Sequence, residues 1–305
     1  MATSKAAMAS RQAQSWTPLA RIVVATDGDR ESFGALRIAA ALAERPGTAV
    51  TVVAVVTPFP HNLSTVVRPD QPVAIDERGR RSMHERVERR VRALPGTEHW
   101  TVKSVVGWPP DAINDVARGW DATLIILGIG RHGRLDRLFG SETAIAVIRH
   151  ARIPVLAVAP NARELPGRAL AAMDFTDASV SAAELALKLM ARDGTLTLAH
   201  ASSFTGRDHA LGGLVDLYRT GAETKLDTAK RRLQRSTRSK IETRLLEGEA
   251  GKALLRYASE EACDLISLGG HEQGLMDRIL LGSVRTRVVR SARCSVLIAP
   301  PRPID

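Results

Sequence analysis

Apolar and polar positions come in alternating blocks along the chain. Short apolar runs end in polar or glycine-bearing turns, and stretches follow in which apolar residues recur every three or four positions. In the first half the runs lie at about Arg21–Thr26, Ala49–Thr57, His99–Val106, Ala122–Leu127 and Pro154–Ala159. They are short, and rich in Val, Ile and Ala, so each predicts a buried strand. Between them a helical period runs from Glu31 to Glu44, and Met83, Val87, Val91 and Leu94 keep it through a very basic segment. Strands alternating with helices predict a parallel sheet covered on both faces.

The whole pattern then comes round again. The strand that ends at Asp27 has a counterpart ending at Asp174, an interval of 147 residues (174 minus 27), and a second helical period follows from Ser179 to Arg192. Gly107 pairs with Gly248, and Gly140-Ser141 with Gly282-Ser283, at intervals of 141 and 142 (248 minus 107, 282 minus 140). The segment from Arg152 to Pro160 is echoed from Arg293 to Pro300. Intervals this regular mean duplication with small insertions and deletions. The reading is therefore α/β: two tandem, Rossmann-like, doubly wound domains, each with a five-stranded parallel sheet. The expected boundaries are a disordered tail over 1–20, a first domain over 21–160, a polar linker over 161–167 and a second domain over 168–300.

Composition narrows the function classes. The chain has 305 residues, 44% of them hydrophobic and 25% charged, which is globular composition with room for two cores. No apolar run approaches the length of a membrane span, and Met1–Ala20 lacks the apolar stretch of a secretory signal. The two cysteines, Cys263 and Cys294, carry no metal-ligand spacing and fit a reducing, cytoplasmic setting. The net charge of +10 raises the question of nucleic acid. Much of it falls in two blocks, Arg78 to Arg92 and Lys225 to Lys240. Leu226, Ala229 and Leu233 mark the apolar stripe of the second. Both predict amphipathic helices with a solvated basic face. With 4% aromatics and none among these cations, no base-stacking surface and no specific nucleic-acid site are expected.

In an open parallel sheet ligands bind beyond the carboxyl ends of the strands, where the strand order reverses. Asp27 lies at such an end, and Gly128, Gly130 and Gly133 follow the fourth strand before Gly140-Ser141 opens a helix. Glycines let a backbone approach phosphate closely, and a helix start offers free amides. Arg131, His132 and Arg134 add positive charge. The literal G-x-G-x-x-G is no dinucleotide fingerprint. It follows the fourth strand, and Ile153 stands where an acidic ribose ligand is expected. No Walker lysine follows either loop. Bland readings stand beside these: Asp27 and Asp174 as helix caps, the Gly-Ser pairs as turns, His200 as a satisfied sheet histidine, and Cys294 as a small buried residue.

An Asp closing the first strand, a glycine loop after the fourth, and Gly-Ser opening a helix that runs into "VIRHARIPVLAVAP" resemble the universal stress protein family. The second copy, with "VVRSARCSVLIAP", resembles it too. The resemblance covers about residues 20–160 and 167–300. It implies an adenine nucleotide α-hydrolase-like fold, with ATP as ligand, the Asp on the nucleoside and the loop on the phosphates. The implied binding positions are Ala25, Thr26, Asp27, Val55, Gly128, Gly130, Arg131, His132, Gly133, Gly140, Ser141 and Glu142 in the first copy. In the second they are Met173, Asp174, Gly269, Gly270, His271, Gly282, Ser283 and Val284. Each copy departs from the family loop, which runs Gly, two residues, Gly, nine residues, Gly, then Ser or Thr. Leu127 stands at the leading glycine of the first, with Gly128 one residue late, and Glu272 at the middle glycine of the second, where a carboxylate repels phosphate. The first site therefore ranks above the second. The resemblance also implies that the two domains pair through their last strands, and it leaves open a homodimer of whole chains. With no paired carboxylates, metal cluster or nucleophile–base set in the sequence, a non-enzymatic stress-response protein is expected. A pure interaction module with degenerate loops is the alternative.

Overall fold

The computed structural model describes residues 19–29, 32–57, 77–130, 141–202, 212–270 and 284–300. One mostly parallel sheet of ten strands runs through both halves. In the first half its strands are β1 (Arg21–Ala25), β2 (Ala49–Val56), β3 (Thr101–Val106), β4 (Leu124–Gly128) and β5 (Val155–Val158). In the second they are β6 (Arg168–Ala172), β7 (Thr195–Ser202), β8 (Lys240–Glu247), β9 (Leu265–Gly269) and β10 (Ser295–Ala299). The helices are α1 (Phe33–Ala43), α2 (Glu77–Arg92), α3 (Pro109–Gly119) and α4 (Ser141–His150), then α5 (Asp177–Leu189), α6 (Gly212–Gln234), α7 (Ala250–Glu260) and α8 (Val284–Ser291).

Strand order is β3-β2-β1-β4-β5-β10-β9-β6-β7-β8. Neighbours run parallel except β5 and β10, which pair antiparallel with Leu156 opposite Leu297. Each half is thus doubly wound, with its order reversing between β1 and β4 or between β6 and β9. The antiparallel joint has a geometric consequence. The carboxyl ends of the first five strands lie at one end of the sheet, and those of the last five at the opposite end.

Two apolar layers follow. Leu36 and Leu42 of α1, Val87 and Val91 of α2, Leu185 of α5 and Leu226 and Leu233 of α6 fill one face. Ile113 of α3, Ile145 and Val147 of α4, Leu254 of α7 and Val288 of α8 fill the other. The basic segments bury the stripe that their periodicity marks, and their arginines stay outside. One expectation needs correction: the second basic block is not a single helix, because α6 ends at Gln234 and Lys240 opens β8. There the chain reverses direction into β8, and Gln234 Nε2 donates to the Ser239 carbonyl at 3.0 Å across the turn.

The helix starts follow local chemistry. Pro109 and Pro110 open α3, where a missing N–H costs nothing. Thr176 caps α5, its hydroxyl oxygen accepting from the Ser179 N–H at 3.3 Å. The joint between halves has polar braces on both faces. On one, the Arg45 guanidinium donates to the carbonyls of Lys188 and Met190 at the end of α5, and burial, then nearby Arg192, pull its pKa down. On the other, Arg290 pairs with Glu142. Within the sheet, the Ala159 N–H donates to Ser295 Oγ at 3.2 Å.

Candidate functional site

The first crevice opens where β1 and β4 part. β1 ends at Ala25, one residue sooner than the apolar run predicts, and Thr26-Asp27-Gly28 form the turn beyond it. Gly28 has φ +76, a conformation that suits glycine, and a Cβ there would meet Val87 Cγ2 at 3.2 Å and Arg86 Cγ at 3.3 Å. Helix α2 therefore rests directly on this turn.

A chain of hydrogen bonds fixes Asp27. The Gly28 N–H donates to Thr26 Oγ1 at 3.0 Å, and Thr26 Oγ1 lies 2.7 Å from Ser32 Oγ. The single Ser32 proton lies within reach of Asp27 Oδ1 at 2.8 Å and the Asp29 carbonyl at 2.9 Å, neither of which can donate. The Thr26 hydroxyl is therefore the donor to Ser32, and the Asp29 N–H reaches Asp27 Oδ1 at 3.0 Å. Asp27 is only 8% exposed, yet among the described residues nothing donates to Oδ2. One carboxylate oxygen is saturated by the protein and the other remains an acceptor. Nor is Asp27 a helix cap: Ser32 occupies that position on α1, with its hydroxyl turned away from the helix amides and toward the carboxylate.

Ala25 and Val55 are buried with their side chains in the core, so only their backbone can face a ligand. Gly128 ends β4 opposite Val158 of β5, and Gly130 follows two residues later. Ser141 begins α4, with Glu142 in its first turn. Arg131, His132, Gly133 and Gly140 lie outside the described residues, as does Arg134.

The second crevice is built differently. Asp174 is exposed, and its Oδ1 accepts from the N–H and the hydroxyl of Thr176, at 3.0 and 2.5 Å. Ser179, the counterpart of Ser32, donates to the Thr176 carbonyl at 2.8 Å instead of to the aspartate. Phe175 replaces Gly28 and holds φ +66, a strained backbone for a bulky residue. Its ring lies 4.5 Å from that of His200, which stands where the first half has Ala54. His200 Nδ1 is 2.7 Å from the Met173 carbonyl, which can only accept, so Nδ1 carries the proton. Nε2 then accepts from the Tyr218 hydroxyl at 2.6 Å. The histidine is satisfied within the fold, and Lys225 Nζ sits 5.2 Å from the centre of the Phe175 ring. These side chains lie across the carboxyl ends of β6 and β7.

Gly269 ends β9 as Gly128 ends β4, and a Cβ on it would lie 2.6 Å from the Ser179 nitrogen and 2.7 Å from the Ala178 carbonyl carbon. Close approach of α5 already demands glycine there. Gly270 donates to the Ala299 carbonyl at 2.5 Å, and Val284 begins α8 packed on the core. His271, Gly282 and Ser283 lie outside the described residues, together with Glu272.

Sequence reasoning did not single out Ser32, Gly28, Phe175, Tyr218 or Arg290. Ser32 and Ser179 do carry a signal, since they recur at the same interval as the aspartates.

The pattern of the universal stress protein family matches residues 19–159 and again 167–300. A universal stress protein of Methanocaldococcus jannaschii is 41% identical over 59 residues, 19% of this chain and 35% of that one. Another from Synechocystis is 33% identical over 76 residues, 25% of this chain and 26% of that one. The chain thus spans about a third and a quarter of these relatives. A universal stress protein structure from Archaeoglobus fulgidus aligns over 93% of this chain and 99% of its own, with TM-score 0.61 and 18% identity. One described as putative, from Pseudomonas aeruginosa, aligns over 93% and 94%, with TM-score 0.62 and 17% identity. At such identities the structural likeness speaks for the fold. Carrying two successive matches that cover most of its length, the chain belongs to the universal stress protein family.

Proposed function

We propose that the first crevice binds an adenine nucleotide, ATP, and that the protein acts in stress response as a nucleotide-responsive regulator in the cytoplasm, without catalysis. The observation that carries this is the buried Asp27 carboxylate at the strand-order switch, with Oδ1 saturated by Ser32 and the Asp29 N–H and with Oδ2 left to accept. A ribose hydroxyl or a base amino group is a donor that such an oxygen can take. The second crevice is a scaffold in this reading. Its aspartate faces solvent, and the Phe175 and His200 rings pack together where the first half has Gly28 and Ala54. The two halves act as a fused pair through β5 and β10.

Calorimetry of desalted protein tests the reading. One ATP per chain is expected, lost in Asp27→Ala and kept in Asp174→Ala. Absence of binding up to millimolar ATP, or equal loss in both variants, overturns it. Incubation with ATP should release no phosphate above the protein-free rate.

A further inference from the structure

At the outer edge of the first half the fold assembles three residues that the sequence keeps apart. Ser104 lies within β3, the last strand of the described sheet on that side, and α2 packs across it with His84 and Glu88 one turn apart. His84 Nδ1 is 3.2 Å from Ser104 Oγ, and its Nε2 is 3.7 Å from Glu88 Oε2. Arg92 lies 3.6 Å from the other Glu88 oxygen. A carboxylate can only accept, so Glu88 favours the imidazole proton on Nε2 and leaves Nδ1 to accept from the serine hydroxyl. Hydroxyl, imidazole and carboxylate thus stand in the order that makes a hydroxyl nucleophilic.

The repeat shows that the fold does not need this polar contact. Gly107 and Gly248 are 141 residues apart (248 minus 107), so Ser104 corresponds to Leu245 of β8. Arg89-Arg90 and Arg231-Arg232 are 142 apart (231 minus 89), so His84 corresponds to Leu226 of α6. Leu226 is buried and Leu245 half-buried, so two leucines serve in the place that a hydroxyl and an imidazole take in the first half. Among the described residues His84 is the one partner of the Ser104 hydroxyl. A small molecule can reach the group. The His84 and Glu88 side chains are 36% and 43% exposed, and Ser104 is half-buried. The Gly107 N–H donates to the Val56 carbonyl of β2, and amides along a strand alternate in direction, so the Ser104 N–H turns to the open edge. There it is a donor for the oxygen of a carbonyl attacked at Oγ.

We propose that Ser104 is an acyl-accepting nucleophile activated by His84, and that its ligand is an activated ester of a small carboxylic acid. In the step, Ser104 Oγ bonds to the acyl carbon while its proton passes to His84 Nδ1. The bond from that carbon to the leaving oxygen then breaks, and the leaving group takes the proton from Nδ1 and departs as an alcohol. The acyl group stays on Ser104, so the step modifies the chain and asks for no turnover. It is independent of the nucleotide reading of the first crevice.

The test treats the full chain with p-nitrophenyl acetate, as wild type, Ser104→Ala, His84→Gln and His84→Leu. Acetylation is read residue by residue by peptide mass spectrometry, alongside release of p-nitrophenol. Wild type should acetylate Ser104 ahead of every other serine. His84→Gln keeps a hydrogen-bonding group beside Ser104 but no base, and should slow that acetylation about a hundredfold. His84→Leu copies the residue of the second half, so it should keep the fold by circular dichroism and show the same loss. Ser104 modified no faster than other serines in wild type overturns the proposal, as does equal acetylation of Ser104 in wild type and either His84 variant. Release of p-nitrophenol at the wild-type rate from Ser104→Ala also overturns it, because the chemistry would then lie elsewhere.

Discussion

Substituting Gly269 by alanine separates two explanations of one glycine. In the family loop that residue leads the phosphate segment, whereas in this fold α5 crosses directly above it. The added Cβ would stand 2.6 Å from the Ser179 nitrogen, 2.7 Å from the Ala178 carbonyl carbon and 3.0 Å from the Ala178 oxygen. All three atoms are backbone in the first turn of α5, so no side chain can swing aside. Relief requires the helix to lift, and the helix carries Leu185 and Leu189 into the core. Overpacking costs about 1–3 kcal/mol, and a clash with immovable backbone belongs at the upper end, about 2–3 kcal/mol. With a urea slope of about 3 kcal/mol per M, the midpoint should fall by roughly 0.7–1 M. Urea unfolding followed by circular dichroism, in buffer free of nucleotide, reads this directly. A midpoint within experimental error of wild type would refute the reasoning and return the glycine to ligand binding.

Other outcomes follow from the same geometry. Gly221→Ala, on α6 with no atom within 4 Å of the added Cβ, should stabilise by about 1 kcal/mol in the same unfolding assay. Ser32→Ala removes the proton that holds Asp27 Oδ1 and should cost about 1–3 kcal/mol, with weaker ATP binding in calorimetry. Burial, and then Asp264, push the Cys263 thiol up to about 11. Since only thiolate reacts, alkylation of Cys263 in a Cys294→Ser background should be slow at pH 8. It should quicken about tenfold per pH unit until that value, and a plateau near pH 9 would contradict the burial. Tyr218→Phe leaves His200 Nε2 without its donor and should cost about 1 kcal/mol in thermal or urea unfolding.

The fold was legible because its signals are local and repeated. The apolar run around Ile125 places β4 within two residues, and the helical stripes of Val87 and Leu226 point inward as their spacing predicts. The chemistry was legible only in part, because each decisive feature depends on a remote partner. Asp27 and Asp174 look alike in sequence, yet one is buried and the other exposed. The difference lies with the residue after each, Gly28 or Phe175, and with a strand neighbour far along the chain, Ala54 or His200. The Glu142–Arg290 fork joins positions 148 residues apart, and no periodicity announces it. Lys240 was drawn into a helical block by charge alone, whereas its pairing opposite Thr195 makes it the first residue of an edge strand.

The antiparallel joint also sets a schedule. β5 is a four-residue apolar strand, and the hydrogen-bonding edge that β10 eventually covers becomes available roughly 140 residues before β10 has been synthesised. At about 5–20 residues per second that interval lasts roughly 7 to 28 seconds. During it, the first half can complete β1 to β4 but presents Val155 to Val158 as an open strand edge to whatever is near. On a crowded messenger the nearest complementary edge is the same strand of a neighbouring nascent chain. The hazard of this architecture is therefore exchange between chains during synthesis, and slow decoding between β5 and β10 would aggravate it.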